Sequence, residues 1–145
     1  MRDVKDTKRA EVRIGYDGIV HKRYRGPLAN QRYENEVQVL KYLESKGCTF
    51  VPRLLDATPE ELYIITTNCG QIAPKVSQEK MEMLFAELEE YGVRHNDPFA
   101  RNITYDSREG RFCIIDFEFS TILETGEGLT LDEAEEALKK EKPKI

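Results

Sequence analysis

Between residues 8 and 66 the apolar pattern changes period twice, and this constrains the fold more than any other feature of the chain. Val12 and Ile14 alternate with polar residues, Tyr16-Asp17-Gly18 is a tight-turn signal, and Ile19-Val20-His21-Lys22 reads as the return strand of a hairpin. Gly26-Pro27 breaks that pattern. Tyr33, Val37, Leu40 and Leu43 then recur at helical spacing until Gly47 stops the run. Phe50–Leu55 and Leu62–Thr66 read as two more strands, with Pro59 in the turn 56–61 between them. The order strand, strand, helix, strand, strand predicts a small antiparallel sheet with one helix.

Beyond Thr66 the signals are more widely spaced. Residues 67–75 carry Asn, Cys-Gly and Pro with no period and read as a linker. Ser77 is placed to cap a second helix with Met81, Leu84, Phe85, Leu88 and Tyr91 on one face, which Gly92 ends. A loop over 94–102 leads into a hairpin of Ile103-Thr104-Tyr105 against Arg111–Ile115. Thr130-Leu131-Asp132-Glu133 is a capping box that opens a short helix with Leu131, Ala134 and Leu138 inward. Lys139 and Lys140 suit the negative end of that helix dipole. The expectation is an α+β fold of two lobes: 1–66 as sheet plus helix, 67–76 as a hinge, and 77–145 as a shortened, mainly helical lobe.

Composition removes several classes of function. The chain has 22 Lys and Arg against 27 Asp and Glu, a formal charge of −5, which disfavours nucleic acid as a partner. Apolar stretches such as Met83–Ala86 and Phe112–Ile115 are far short of the roughly 20 residues a membrane helix needs, so no membrane partner is expected. The N-terminus shows no apolar signal region, and the expected location is cytoplasmic. Cys48, Cys69 and Cys113 are odd in number and lack CxxC spacing, which argues against a disulfide framework and against a zinc site.

The chemistry-bearing stretch is His95-Asn96-Asp97-Pro98-Phe99-Ala100-Arg101-Asn102, followed after a hairpin by Ile114-Ile115-Asp116-Phe117-Glu118. H-x-D-x4-N alone arises by chance in about one chain in a hundred of this length, and an Asp-Phe closing an apolar strand behind it makes accident rarer. Together these motifs resemble the protein-kinase-like superfamily. That resemblance implies a minimal two-lobed kinase-like fold and Mg²⁺-ATP-dependent transfer of a phosphoryl group to a protein or small-molecule hydroxyl. Asp97 would be the catalytic base, Asn102 and Asp116 the Mg²⁺ ligands, and His95 the brace of the loop. Lys22 matches the lysine that pairs with the ATP phosphates, and Glu36 matches its helix partner, with Glu34 as the competing choice. Thr67, Asn68 and Cys69 would face the adenine from the hinge.

The departures from the family pattern are specific. No G-x-G-x-x-G precedes Lys22, so the phosphate-covering loop is absent or replaced by the polar leader Met1–Ala10. Phe99 stands where many kinases carry Lys, and Arg101 is the candidate to supply that charge. Asp-Phe-Glu replaces Asp-Phe-Gly, as in choline and ethanolamine kinases. About thirty residues follow Asp116 with no A-P-E motif, so a partner chain or second copy is expected to complete the substrate platform. The rival reading is a pseudokinase that binds nucleotide or scaffolds a partner without turnover. Taken singly, each residue has a plainer role: Lys22 as a solvated edge charge, Glu36 as an exposed helix residue, Asp97-Pro98 as a turn, Asp116 as a strand-end cap. Arg23, Arg25 and the charged C-terminal tail read as solvated surface. The order and spacing of the motif residues fit one nucleotide site.

Overall fold

The computed structural model describes residues 2–6, 10–15 and 17–141. Three antiparallel strands open the chain, β1 (Arg2–Asp6), β2 (Ala10–Ile14) and β3 (Val20–Tyr24). The predicted hairpin is β2 with β3, pairing Ala10 with Tyr24 through to Ile14 with Val20. Gly15 donates to the Ile19 carbonyl at 2.9 Å across its turn, and Asp17 Oδ1 accepts from the Ile19 amide at 3.1 Å. Tyr16 of that turn lies outside the described residues. β1 is a strand that the polar leader Met1–Ala10 did not announce: it pairs with β2 from Arg2–Ile14 to Asp6–Glu11. Backbone groups make that ladder, so apolar alternation is not required, and short charge-rich strands are what sheet edges tolerate.

The first helix, α1 (Ala29–Ser45), ends where Gly47 predicts. Gly47 takes φ 76°, its amide reaches Glu44 O at 3.0 Å, and the Cys48 amide reaches Leu43 O at 3.0 Å, which is a Schellman closure. Its buried face carries Tyr33, Val39, Leu40 and Leu43, but also Arg32, Asn35 and Glu36. Val37, expected on that face, is only half-buried, and Val39 takes the core position.

The next two strands shift from their expected bounds to β4 (Leu54–Thr58) and β5 (Tyr63–Thr66), joined by a single 3₁₀ turn at Pro59–Glu61. Phe50 and Val51 are buried side chains outside the ladder, and Pro52 has no amide hydrogen to donate. Core anchoring accounts for that apolar run. The sheet order is β1-β2-β3-β5-β4.

The second half is built from β6 (Gln71–Ile72), α2 (Gln78–Glu90), β7 (Val93–His95), β8 (Ile103–Asp106), β9 (Arg111–Ile114), β10 (Ser120–Ile122) and α3 (Leu131–Glu141). It is not mainly helical: between α2 and α3 lie β7 to β10, in a three-stranded sheet β6-β8-β9 and a two-stranded sheet β7-β10. β6 also shows that the segment expected as a plain linker is partly a strand. Its neighbour Gly70, at φ 94°, sits where a Cβ would fall 2.1 Å from Tyr105 O, so the chain passes there only as glycine. Both predicted helix starts are present, with Ser77 Oγ accepting from the Lys80 amide at 3.1 Å and Thr130 Oγ1 from the Glu133 amide at 3.3 Å. The inward placement expected of Leu138, and the surroundings of Lys140, fall on side chains outside the described set.

One apolar core runs through both halves, from Leu40, Leu43 and Ile64 to Leu88, Val93, Ile103, Ile114 and Phe117. Burying each such side chain contributes about 1.5–3 kcal/mol. Phe50 O accepts from the Ile114 amide at 2.9 Å, which ties the halves beside that core. The architecture is mixed α+β with antiparallel sheets and three helices among the described residues. None of those helices is long and apolar enough to cross a membrane. Cys48, Cys69 and Cys113 are buried and free.

Candidate active site

Strand alternation in β3 turns Lys22 and Tyr24 inward and leaves Arg23 exposed. Helical spacing in α1 puts Arg32, Asn35 and Glu36 on the face that meets them. Lys22 Nζ lies 2.8 Å from Glu36 Oε1, 3.2 Å from Asp116 Oδ1 and 3.2 Å from Glu118 Oε2. Glu36 is therefore the partner of Lys22, and Glu34 faces solvent. Tyr24 donates its hydroxyl to the same Glu36 oxygen, while Glu36 Oε2 accepts from the Phe117 amide at 2.7 Å.

Burial disfavours charge on Lys22, but Asp116, Glu118 and Glu36 outweigh it and hold the ammonium above its ordinary pKa. Burial pushes Glu118 up, Lys22 pulls it back, and the carboxylates of Asp116 and Glu36 leave it at about 7. Burial and the Glu36 charge push the Tyr24 phenol well up, so it stays a donor. Asp116 adopts φ 64°, the left-handed region that Asp tolerates better than most residues, as the chain leaves the strand for Lys22.

The second cluster is the loop after β7. The Asp97 amide donates to His95 Nδ1 at 3.0 Å, which leaves the proton on Nε2, and Nε2 donates to Ile115 O at 3.0 Å. His95 packs between Phe85 and Phe117, and burial lowers its pKa and keeps it neutral, as an accepting Nδ1 requires. The ring thus ties the Asp97 loop to the strand that delivers Asp116. Asn102 Nδ2 donates to Asp97 O and to Asp97 Oδ2, each at 2.9 Å, and Arg101 pairs with Asp97 Oδ1 from the exposed side. Arg101 stacks on Phe99 with its guanidinium 4.8 Å from the ring centre.

The hinge residues are tied elsewhere. The Thr67 amide donates to Arg53 O at 3.0 Å and its hydroxyl accepts from the Arg53 amide at 2.9 Å. Asn68 O accepts from Arg108 at 3.1 Å, and the buried Cys69 accepts at its carbonyl from Thr104 Oγ1 at 2.7 Å. These bonds brace the crossing between the halves and reach neither cluster. Two surface hollows, about 290 Å³ between α2 and Pro98 and about 310 Å³ between α1 and β4, are lined by none of Lys22, Asp97, Asn102 or Asp116.

Among the described residues no group of three or more His, Cys, Asp and Glu is placed to hold a metal by itself. Mg²⁺ in phosphate chemistry needs only one or two protein oxygens beside water and phosphate. Asp116 supplies a carboxylate. With Asn102 Nδ2 committed to Asp97, Oδ1 is the amide atom that faces away from it. A carboxylate and an amide oxygen are the hard donor types that such a cation takes.

Sequence reasoning overlooked Arg32, Tyr24, Asn35 and the contacts of Glu118. A signal was present: residues 32, 35 and 36 fall at helical spacing on the same stripe as Leu40 and Leu43, and polar residues on an apolar stripe need buried partners. Compared with known families and curated proteins, the chain matches no family model and no curated relative.

Proposed function

We propose that the chain is a minimal member of the protein-kinase-like superfamily that transfers a phosphoryl group from Mg²⁺-ATP to a hydroxyl. The observation that carries this reading is the meeting of Lys22, Glu36 and Asp116, from a strand, a helix and a loop 94 residues from Lys22 in sequence, beside the His95-braced Asp97 loop. Lys22 would bind the phosphate oxygens, with Glu36 fixing its ammonium. Asn102 Oδ1 and Asp116 would hold Mg²⁺, whose chemistry is to bridge and neutralise the phosphates. Asp97 would orient the acceptor hydroxyl and take its proton late, and Arg101 would meet phosphoryl oxygens from the exposed side. On this reading residues 1–66 and 77–145 are the two lobes and 67–76 the hinge, with a partner chain or second copy presenting the acceptor.

Thermal unfolding with and without Mg²⁺-ATP tests the site. Saturation at about 100 times Kd stabilises by about 2.7 kcal/mol, a shift of roughly 8–10 °C for a chain of this size. The shift should need Mg²⁺ and vanish in Asp116→Asn. Asp97→Ala should keep the shift and lose transfer. Absence of any shift at millimolar Mg²⁺-ATP would refute the reading and leave a scaffold without nucleotide.

A further inference from the structure

Glu118 is the third carboxylate on Lys22, and it is also the partner of Arg32, a fully buried residue. Arg32 Nη1 donates to Glu118 Oε1 at 2.6 Å, Nε donates to Pro27 O at 2.8 Å, and Nη2 donates to Arg25 O. One oxygen of Glu118 thus faces the guanidinium, and the other lies 3.2 Å from Lys22 Nζ. Asn35 Nδ2 holds the backbone of the same segment, donating to Glu118 O at 2.9 Å and to Ser120 O at 3.0 Å.

We infer that Glu118, anchored by Arg32, is a positioning residue that sets the Lys22 ammonium where nucleotide phosphates bind. The inference rests on the reading of the preceding subsection and goes beyond it. Lys22 has three carboxylate partners with different obligations. Glu36 Oε1 is shared with Tyr24, and Asp116 is the carboxylate that would serve Mg²⁺. Glu118 is tied to a guanidinium that two backbone carbonyls hold in place, which fixes its carboxylate beside Lys22. Only glutamate suits the position. Glutamine has one acceptor oxygen and must turn its NH₂ toward one of the two cations. Aspartate is a methylene too short to span both.

The test uses Glu118→Gln and, because that change strands a buried arginine, the double variant Arg32→Met/Glu118→Met, which leaves neither charge without its partner. Two readouts are taken on folded protein. The first is the rate of Lys22 acetylation by an amine-reactive ester, with exposed Lys41 and Lys75 as internal references. The second is Mg²⁺-ATP affinity, with the KM-against-kcat split in transfer. Losing one charge-assisted contact should weaken Mg²⁺-ATP binding about tenfold, mainly in KM. Lys22 acetylation should rise several-fold against the references. A purely structural role would lower Tm and leave both readouts at wild-type values in the folded fraction, which overturns the inference while the kinase reading stands. If wild-type protein itself takes up no Mg²⁺-ATP, the kinase reading falls and this assignment falls with it.

Discussion

Replacing Glu36 by Gln probes the Lys22 cluster at its most connected atom pair. Glu36 Oε1 accepts from Lys22 and Tyr24, and Oε2 accepts from the Phe117 amide. Glutamine keeps one acceptor, so whichever way its amide turns, an NH₂ group faces a buried donor. Removing one partner of a buried ion pair costs about 3–5 kcal/mol. Lys22 keeps Asp116 and Glu118, which places this change near the low end, about 3 kcal/mol. At 145 residues each kcal/mol moves Tm by about 3–4 °C. The expected fall is about 10 °C, measured by circular dichroism at pH 7. It should persist in 0.5 M NaCl, because buried pairs are weakly screened. Tyr24→Phe removes one donor from the same oxygen and should cost about 1.5 kcal/mol, half the shift. If Glu36→Gln melts within about 3 °C of wild type, or its deficit disappears in salt, the buried cluster does not hold the fold as argued.

Stability should also carry a pH signature. The unfolded chain protonates His95 near its ordinary 6.5 while the buried folded ring resists, so this contribution shrinks as pH falls below 6.5. Glu118 has the opposite sign: its folded carboxyl keeps a proton up to about 7 against an ordinary 4.5, so its contribution falls as pH rises through that window. Urea denaturation of Glu118→Gln should therefore lose stability from pH 6.5 to 5 more steeply than wild type, by up to about 1.4 kcal/mol per pH unit. Equal slopes would contradict the assignment for Glu118. Gly70→Ala drives a Cβ into Tyr105 O at a positive φ and should cost about 2 kcal/mol or more in chemical denaturation. Ser77→Ala removes the cap of α2 and should cost about 1 kcal/mol, with a neutral result counting against that cap.

What the sequence made legible follows the range of the interaction. The hairpin turn at Gly15–Ile19, the Gly47 closure and the Ser77 and Thr130 caps are local and chemically specific, and the structure contains each of them. The residues from His95 to Asn102 were legible as a group because the loop binds itself together, through Asp97, Asn102 and the imidazole. Choosing between Glu34 and Glu36 required the phase of α1, which the sheet beneath it sets. Arg32 and Glu118 lie 86 residues apart, and a buried arginine is among the least expected core residues. β1 was illegible because a backbone ladder recruits it. Phe50 and Val51 read as strand because a short apolar run does not distinguish a ladder position from a core anchor.

The buried face of α1 has a consequence for chain continuity. Arg32, Asn35 and Glu36 place four hydrogen bonds on residues 117–120, and Phe50 O takes the Ile114 amide beside them. The N-terminal and C-terminal halves are therefore joined by a polar seam embedded in the shared core, independently of the peptide that crosses between them. Lys75 on that crossing is exposed. A single break after it would leave the fragments on either side associated, with Lys22 still facing Asp116. The crossing peptide acts as a tether that raises the local concentration of two complementary surfaces. The arrangement of the charged groups belongs to those surfaces.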